Sequence, residues 1–289
     1  MTTGTNLINE KKAINCILCA SKQEINTILK KEIRLKNRYF SIEVVRCLNC
    51  GLVFDCSDID SIELDNYISN NYYKEKKIGS HIDNRFHRHF TNRALLHIKL
   101  IFDFFPANFT GKVLDIGCGA GIFLDEMRKL GWEAHGVEPS QDQYLHAQNI
   151  LNLNVYNGLF EEYQNDIKFD LIYMSHIFDD LPNIRQAILQ IIKSLSNEGL
   201  VFIEVPNFFR KNNLDINNGD FIENCYYFTP ETLVSILERN GLKIEYINTY
   251  EPIYLNTFLH YLVMPIMYFR RFFIKKKNKS HIRVICKKN

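Results

Sequence analysis

No charge of one sign dominates this 289-residue chain: 35 Lys and Arg face 33 Asp and Glu, for a formal net charge of +2. That balance gives no general reason to expect nucleic acid as a partner. Glycine and proline are scarce, at 13 and 7 residues, which excludes a collagen-like or fibrous chain. Residues 1–12 are polar and lack the apolar run of a secretory signal, so the chain is expected to be cytoplasmic. No internal repeat is present. What remains is a 46% hydrophobic, globular composition able to bury a sizeable core. At roughly 150 residues per domain, that length suggests about two domains.

Eight cysteines would suggest disulfides in a short secreted chain, but in a cytosolic one metal binding or burial is expected. Their spacing separates them into two groups. Cys16 and Cys19, and Cys47 and Cys50, form two C-x2-C knuckles, each able to present two thiolates from one tight turn. Together they predict a four-cysteine zinc site whose closed shell leaves no open position for catalysis, so the zinc is structural. The segment between them, with β-branched runs over 27–29 and 39–46, suits the strands of a zinc ribbon. Cys56, Cys118, Cys225 and Cys286 are isolated and are read as small buried hydrophobes.

Residues 57–110 read as a linker followed by a helix, after which strands and helices alternate. Strands are expected at 113–116, up to 138, at 154–157, 169–175 and 200–205, up to 250, and at 281–287. Helices are expected at 122–130, closed by Gly131, and from Pro182 to about 196, with another after Thr229 and Pro230. Alternation of this kind implies a largely parallel sheet with helices on both faces, and ligands at the carboxyl ends of its strands.

Gly117, Gly119 and Gly121 lie where the first of these strands turns into a helix, directly after Asp115. Glycines there let the backbone turn sharply and approach a ligand closely. A pyrophosphate favours a helix N-terminus without a nearby carboxylate, whereas Asp115 suits a ligand with a cationic amino group. Glu138 closes the next strand, placed to accept hydrogen bonds from both hydroxyls of a ribose. Taken together, the run from Val113 to Gly121 resembles the first motif of the class I S-adenosylmethionine-dependent methyltransferases, and Gly136 to Ser140 resembles the second. The likeness covers about residues 110–289. It implies a Rossmann-like sheet, S-adenosylmethionine as cofactor, contact of Asp115, Gly117, Gly119, Gly121 and Glu138 with it, and Gly158, Leu159 and Phe160 against the adenine. Asp170 to His176 is similar to strand four, which places Ser175 at the cofactor.

A four-cysteine ribbon ahead of such a domain, with Asn71, Tyr72 and Tyr73 following, further resembles bacterial methyltransferases that modify sugars and surface glycans. Relatives of that type carry a Glu-His pair after strand four, where this chain has Ile177, Phe178, Asp179, Asp180 and Leu181. A hydroxyl acceptor needs a base within about 2.6 to 3.2 Å. His176 and Asp180 are the catalytic candidates, against the alternative of a rim histidine and a solvated acid. His81, His87 and His89 lie on the segment that is expected to cover the pocket. Tyr226 and Tyr227 are either aromatic walls for an acceptor or core.

The expected layout is a zinc ribbon over 1–60, a helical linker or lid over 61–110, and the methyltransferase domain over 111–289 with an apolar-basic insertion at 253–279. The insertion either packs on its own domain or a partner, or lies on the inner membrane face. No acid follows Glu251 while nine Lys and Arg do, so the basic charge is gathered at that end. The function expected is methyl transfer to a sugar, glycan or other small hydroxylated acceptor. Two alternatives are an RNA methyltransferase gripping RNA with the ribbon, whose segment 22–46 holds seven basic and three acidic residues, and a catalytically silent scaffold.

Overall fold

A computed structural model describes residues 15–21, 25–35, 38–57, 84–208, 224–250 and 279–289. The stretch with Asn71, Tyr72 and Tyr73, His81, and almost all of the 253–279 insertion lie outside the described residues. Among the described residues, no helix is long and apolar enough to cross a membrane.

Two sheets form. The first contains β1 (Ile25–Leu35), β2 (Arg38–Cys47) and β3 (Val53–Asp55). The helix α1 (Asn84–Phe102) then leads into the second sheet: β4 (Lys112–Ile116), α2 (Ile122–Lys129), β5 (Glu133–Glu138), α3 (Gln141–Leu145) and β6 (Asn154–Asn157). It continues through β7 (Phe169–Ser175), α4 (Ile184–Ser194) and β8 (Leu195–Pro206). The short β9 (Tyr226–Tyr227), α5 (Pro230–Arg239), β10 (Leu242–Tyr250) and β11 (His281–Lys288) complete the described chain.

The large sheet runs β10-β11-β8-β7-β4-β5-β6. Its centre is parallel, and β11 inserts antiparallel between β8 and β10. Strand β4 is buried from Val113 to Ile116 on both faces, Asp115 included, as a strand covered by helices on each side must be. The chain leaves β4 toward β5 and β6 on one side and returns to β7 and β8 on the other. That reversal opens a crevice at the carboxyl end of β4.

Local chemistry sets the boundaries. Gly131, at φ +88°, ends α2: its N–H donates to the Arg128 carbonyl at 2.9 Å, and the Trp132 N–H reaches back to Met127 at 3.1 Å. Thr229 and Thr232 cap α5 reciprocally, with Pro230 at the first helical position. Asn183, not Pro182, caps α4, accepting from the Gln186 N–H at 3.2 Å. Strand β8 starts at Leu195, five residues earlier than expected, because Leu195 pairs with Phe169 before a register shift brings Leu200 opposite Leu171. Past α3, the chain adds one wider π turn at His146–Ile150.

The ribbon is joined to the large sheet's surroundings in a way that the sequence did not suggest. Its sheet runs β1-β2-β3-β9, so its fourth strand comes from the segment ahead of α5. Cys16, Leu18, Cys47 and Leu52 share one buried cluster with Leu181, Ile184, Phe228 and Leu233. Arg185 also donates to the Leu18 carbonyl at 3.3 Å.

Candidate active site

A cavity of about 230 Å³ opens at the carboxyl end of β4. The glycine loop forms one wall. Gly117, Gly119 and Gly121 all have positive φ, at +72°, +54° and +80°. Only Gly117 and Gly119 line the cavity. A Cβ on Gly119 would meet nothing nearer than Gln143 Oε1 at 3.9 Å, so the backbone there faces open space. Gly121 serves packing instead, since its Cβ would lie 2.6 Å from Leu153 Cδ1 and 3.0 Å from Ala147 Cβ.

Two carboxylates face this wall. Glu138 is buried, and its Oε2 accepts from the Gly119 N–H and its Oε1 from the Ser140 N–H, each at 2.8 Å. Each oxygen keeps a further lone pair for a ligand hydroxyl. Asp115 is 3% exposed and lines the cavity, and its carboxylate makes no hydrogen bond among the described residues. Burial, and then the charge of Glu138, push the Asp115 carboxyl well above the usual carboxylate range. Burial also raises Glu138. A buried, unpartnered acid beside a second one is costly without a cationic ligand. The residues present therefore fit the amino group and ribose of S-adenosylmethionine.

The opposite side is organised by a residue that sequence reasoning passed over. Glu204, at the carboxyl half of β8, has a side chain with no exposure and gathers six groups. Its Oε1 meets Arg93 at 2.8 Å, the Ser175 hydroxyl at 3.0 Å and His176 Nε2 at 3.3 Å. Its Oε2 meets Arg283 Nε at 2.7 Å, His97 Nε2 at 2.9 Å and the Tyr250 hydroxyl. Burial alone would raise its pKa, but hydrogen bonds from His176 and His97 and the charges around it hold the carboxyl far below the usual range. Burial pushes His97 down to about 4. Its Nδ1 lies 2.7 Å from the Tyr173 hydroxyl.

His176 follows β7 with φ +57°, its N–H donating to the Glu204 carbonyl at 2.8 Å. The ring lines the cavity and its side chain is one-third exposed. Ser175 also lines the cavity, while its hydroxyl is engaged by Arg93 and Glu204. Asp180 borders the cavity on the segment beyond His176. From α1, Phe86, Phe90, Arg93 and Ala94 close the remaining side, Phe86 and Phe90 with ring centroids 4.3 Å apart.

Other expected residues lie elsewhere. Phe160 is packed into the core, 3% exposed, and does not line the cavity. Gly158 and Leu159 are also outside its lining, though the Gly158 N–H donates to the Glu138 carbonyl at 3.3 Å. On α1, His87 Nδ1 lies 3.3 Å from the Thr91 hydroxyl, and His89 is at the surface beside Phe90. Tyr226 and Tyr227 are buried and form β9; they do not line this cavity but border a smaller one together with Asp179 and Asn224.

The four knuckle cysteines converge. All four sulfurs lie within 4.8 Å of one another, with Cys16 and Cys50 at 3.4 Å and Cys19 and Cys47 at 3.5 Å. A tetrahedral site with metal–sulfur bonds of about 2.3 Å has sulfurs roughly 3.8 Å apart, so this cluster could hold a metal ion. Cys118 and Cys286 are buried, and Cys56 and Cys225 half-buried.

Comparison with known proteins agrees with this geometry. The model of a methyltransferase domain matches residues 85–247. A ubiquinone biosynthesis O-methyltransferase of Rickettsia bellii is 22% identical over 149 residues, 46% of this chain and 62% of that protein. The protein of the same name from Glaesserella parasuis is 34% identical over 110 residues, 34% of this chain and 47% of its own. The chain thus spans less than two thirds of these relatives. A crystal structure of a SAM-dependent methyltransferase from Archaeoglobus fulgidus superimposes with a TM-score of 0.50 at 22% identity, covering 79% of this chain and all of that one. With the sheet order above, the match over more than half of the chain identifies it: this chain belongs to the methyltransferase-domain family and has the Rossmann-like class I fold of S-adenosylmethionine-dependent methyltransferases.

Proposed function

We propose that this protein transfers a methyl group from S-adenosylmethionine to a hydroxyl oxygen of a small ring-shaped acceptor of the sugar or glycan class. The observation that carries this reading is the placement of His176 at the cavity, with Nε2 3.3 Å from the buried Glu204. Oxygen acceptors, unlike amines, require removal of a proton as they attack, and a histidine held by a carboxylate is suited to that. The O-methyltransferase names of the curated relatives support oxygen as the target. The Phe86 and Phe90 rings provide the apolar wall that a ring-shaped acceptor needs.

In this reading Asp115 takes the amino group of the cofactor and Glu138 its ribose hydroxyls, while the Gly117–Gly119 backbone lies along it. When bound, S-adenosylmethionine supplies an electrophilic methyl group on a sulfonium. The chain mainly has to exclude water and hold the acceptor oxygen in line, which proximity and orientation reward strongly. His176 holds the acceptor's proton. The four cysteines carry zinc as a closed structural site.

The test is a radiolabelled methyl-transfer assay against fractionated sugars, oligosaccharides and cell extract, with calorimetric titration of S-adenosylmethionine in parallel. Label appearing on an acid-stable methyl ether of a carbohydrate is expected. Label on nucleic acid, or no cofactor binding at all, would overturn the reading.

A further inference from the structure

We infer that Glu204 is a positioning residue that fixes the tautomer of His176, so that Nδ1 is the ring nitrogen that takes the acceptor's proton. This rests on the methyl-transfer reading for its chemistry, but not for its geometry.

An ionised carboxylate has only acceptor atoms. A histidine nitrogen facing it therefore carries the hydrogen, and the neutral ring has its lone pair on the other nitrogen. Glu204 is kept ionised by its setting: Arg93 at 2.8 Å on Oε1 and Arg283 at 2.7 Å on Oε2. His176 Nε2 faces Oε1 at 3.3 Å, so Nε2 is the donor and Nδ1 the base. The ring is also fixed from its own backbone, since the His176 N–H is bonded to the carbonyl of the same Glu204.

The groups facing the pair come from every neighbouring element. Among the described residues they include Arg93 and His97 from α1, Ser175 from β7, Tyr250 from β10, and Arg283 and His281 from β11, while Asp180 lines the same cavity. His281 lies edge-on to His176 with ring centroids 5.0 Å apart, and burial holds it neutral, at a pKa of about 4. Glu204 is the acid whose oxygen lies 3.3 Å from the His176 ring.

In the chemical step, the acceptor oxygen forms a bond to the methyl carbon while the carbon–sulfur bond breaks with its electron pair on sulfur, and the hydroxyl proton goes to Nδ1. The imidazolium so formed is stabilised across Nε2–H by the Glu204 charge.

The first measurement needs no acceptor: nitrogen NMR of the full chain labelled with 15N-histidine, with the His176 signals assigned by their loss in His176→Asn. The Nε2–H tautomer is expected near neutral pH. An Nδ1–H tautomer, or an even mixture, overturns the proposal whatever the protein methylates. The second is the kinetics of Glu204→Gln, which keeps an acceptor for Nε2–H but removes the charge. In the folded variant kcat should fall about tenfold or more with KM for the acceptor nearly unchanged, because the imidazolium loses its counter-charge. A native kcat, or a loss carried by KM, overturns the proposal. If Glu204→Gln does not fold, the tautomer of the native protein decides alone. A correct tautomer in a protein that methylates no hydroxyl would remove the functional reading and leave the Glu204–His176 pairing in place.

Discussion

Gly119→Ala and Gly121→Ala add the same methyl group two residues apart in one loop, and they should fail for different reasons. At Gly121 the backbone sits at φ +80°, ψ +13°, where an L side chain costs about 1 to 2 kcal/mol. The new Cβ would also lie 2.6 Å from Leu153 Cδ1 and 3.0 Å from Ala147 Cβ, and forcing a methyl into a filled core costs about 1 to 3 kcal/mol more. A loss of about 3 kcal/mol corresponds to a fall in Tm of roughly 6 to 12 °C for a domain of this size. At Gly119 φ is +54° and the Cβ meets only Gln143 Oε1 at 3.9 Å, so only the backbone cost of about 1 kcal/mol applies and Tm should fall by roughly 2 to 4 °C. That methyl projects into the open space of the cavity wall, where the cofactor is expected to lie against the backbone. Calorimetry should therefore show S-adenosylmethionine binding weakened by about tenfold or more in Gly119→Ala, equivalent to about 1.4 kcal/mol. Differential scanning calorimetry of the ligand-free proteins supplies the Tm values. Equal Tm losses in the two variants, or native affinity in a folded Gly119→Ala, would refute the division of labour within the loop.

His176→Asn should lower kcat by about 10² to 10⁴ while leaving S-adenosylmethionine affinity near native, as single-turnover kinetics and calorimetry would show; retention of full turnover would exclude His176 as the base. His97 titrates near 4 when folded against 6.5 in the unfolded chain, so between these values the unfolded state binds more protons and stability falls as pH drops, by up to about 1.4 kcal/mol per pH unit from this residue. Glu204, held far below the usual range, adds to the loss only below the ordinary carboxylate pKa of 4.5, where the unfolded carboxylate takes up a proton that the folded one refuses. Asp115 and Glu138, raised in the folded protein, act in the opposite sense, so the sign is read by comparing urea midpoints at pH 7.5, 6.0 and 5.0 between the native protein and a folded His97→Gln variant, which should lose less toward pH 5.0; an equal pH dependence would contradict it. Metal analysis of the native protein should find one zinc per chain, and a strong chelator should lower Tm; a metal-free preparation indifferent to chelator would remove the structural site.

The parts of the site legible in sequence are those written within a few consecutive residues. Asp115 with its three glycines, Glu138 at the next strand end, and the paired cysteines each declare themselves by spacing. Glu204 does not, because its six partners come from positions 93, 97, 175, 176, 250 and 283 and meet only when α1, β7, β8, β10 and β11 assemble. Its sole signal was an acid inside the apolar run Phe202 to Val205, where a strand buried on both faces would otherwise carry none. The carboxylate that His176 meets stands one strand over, on β8. Phe160, which a local likeness places against the adenine, has its ring in the core and outside the cavity lining, a packing that no short-range spacing announces. Tyr226 and Tyr227 form a two-residue strand too short for any alternation to register, held by the edge of β3 and by the Tyr226 N–H on the Asp179 carbonyl.

That pairing also imposes an order on synthesis. All four knuckle cysteines and β3 have been synthesised by residue 55, yet the strand that completes their sheet appears only at Tyr226 and Tyr227. Until then β3 presents an unpaired edge, the kind of surface that recruits strands from neighbouring chains. A nascent chain halted ahead of β9 should therefore be prone to aggregation even with its metal bound, and the last β-strand added to the ribbon works as a check that the methyltransferase portion has arrived.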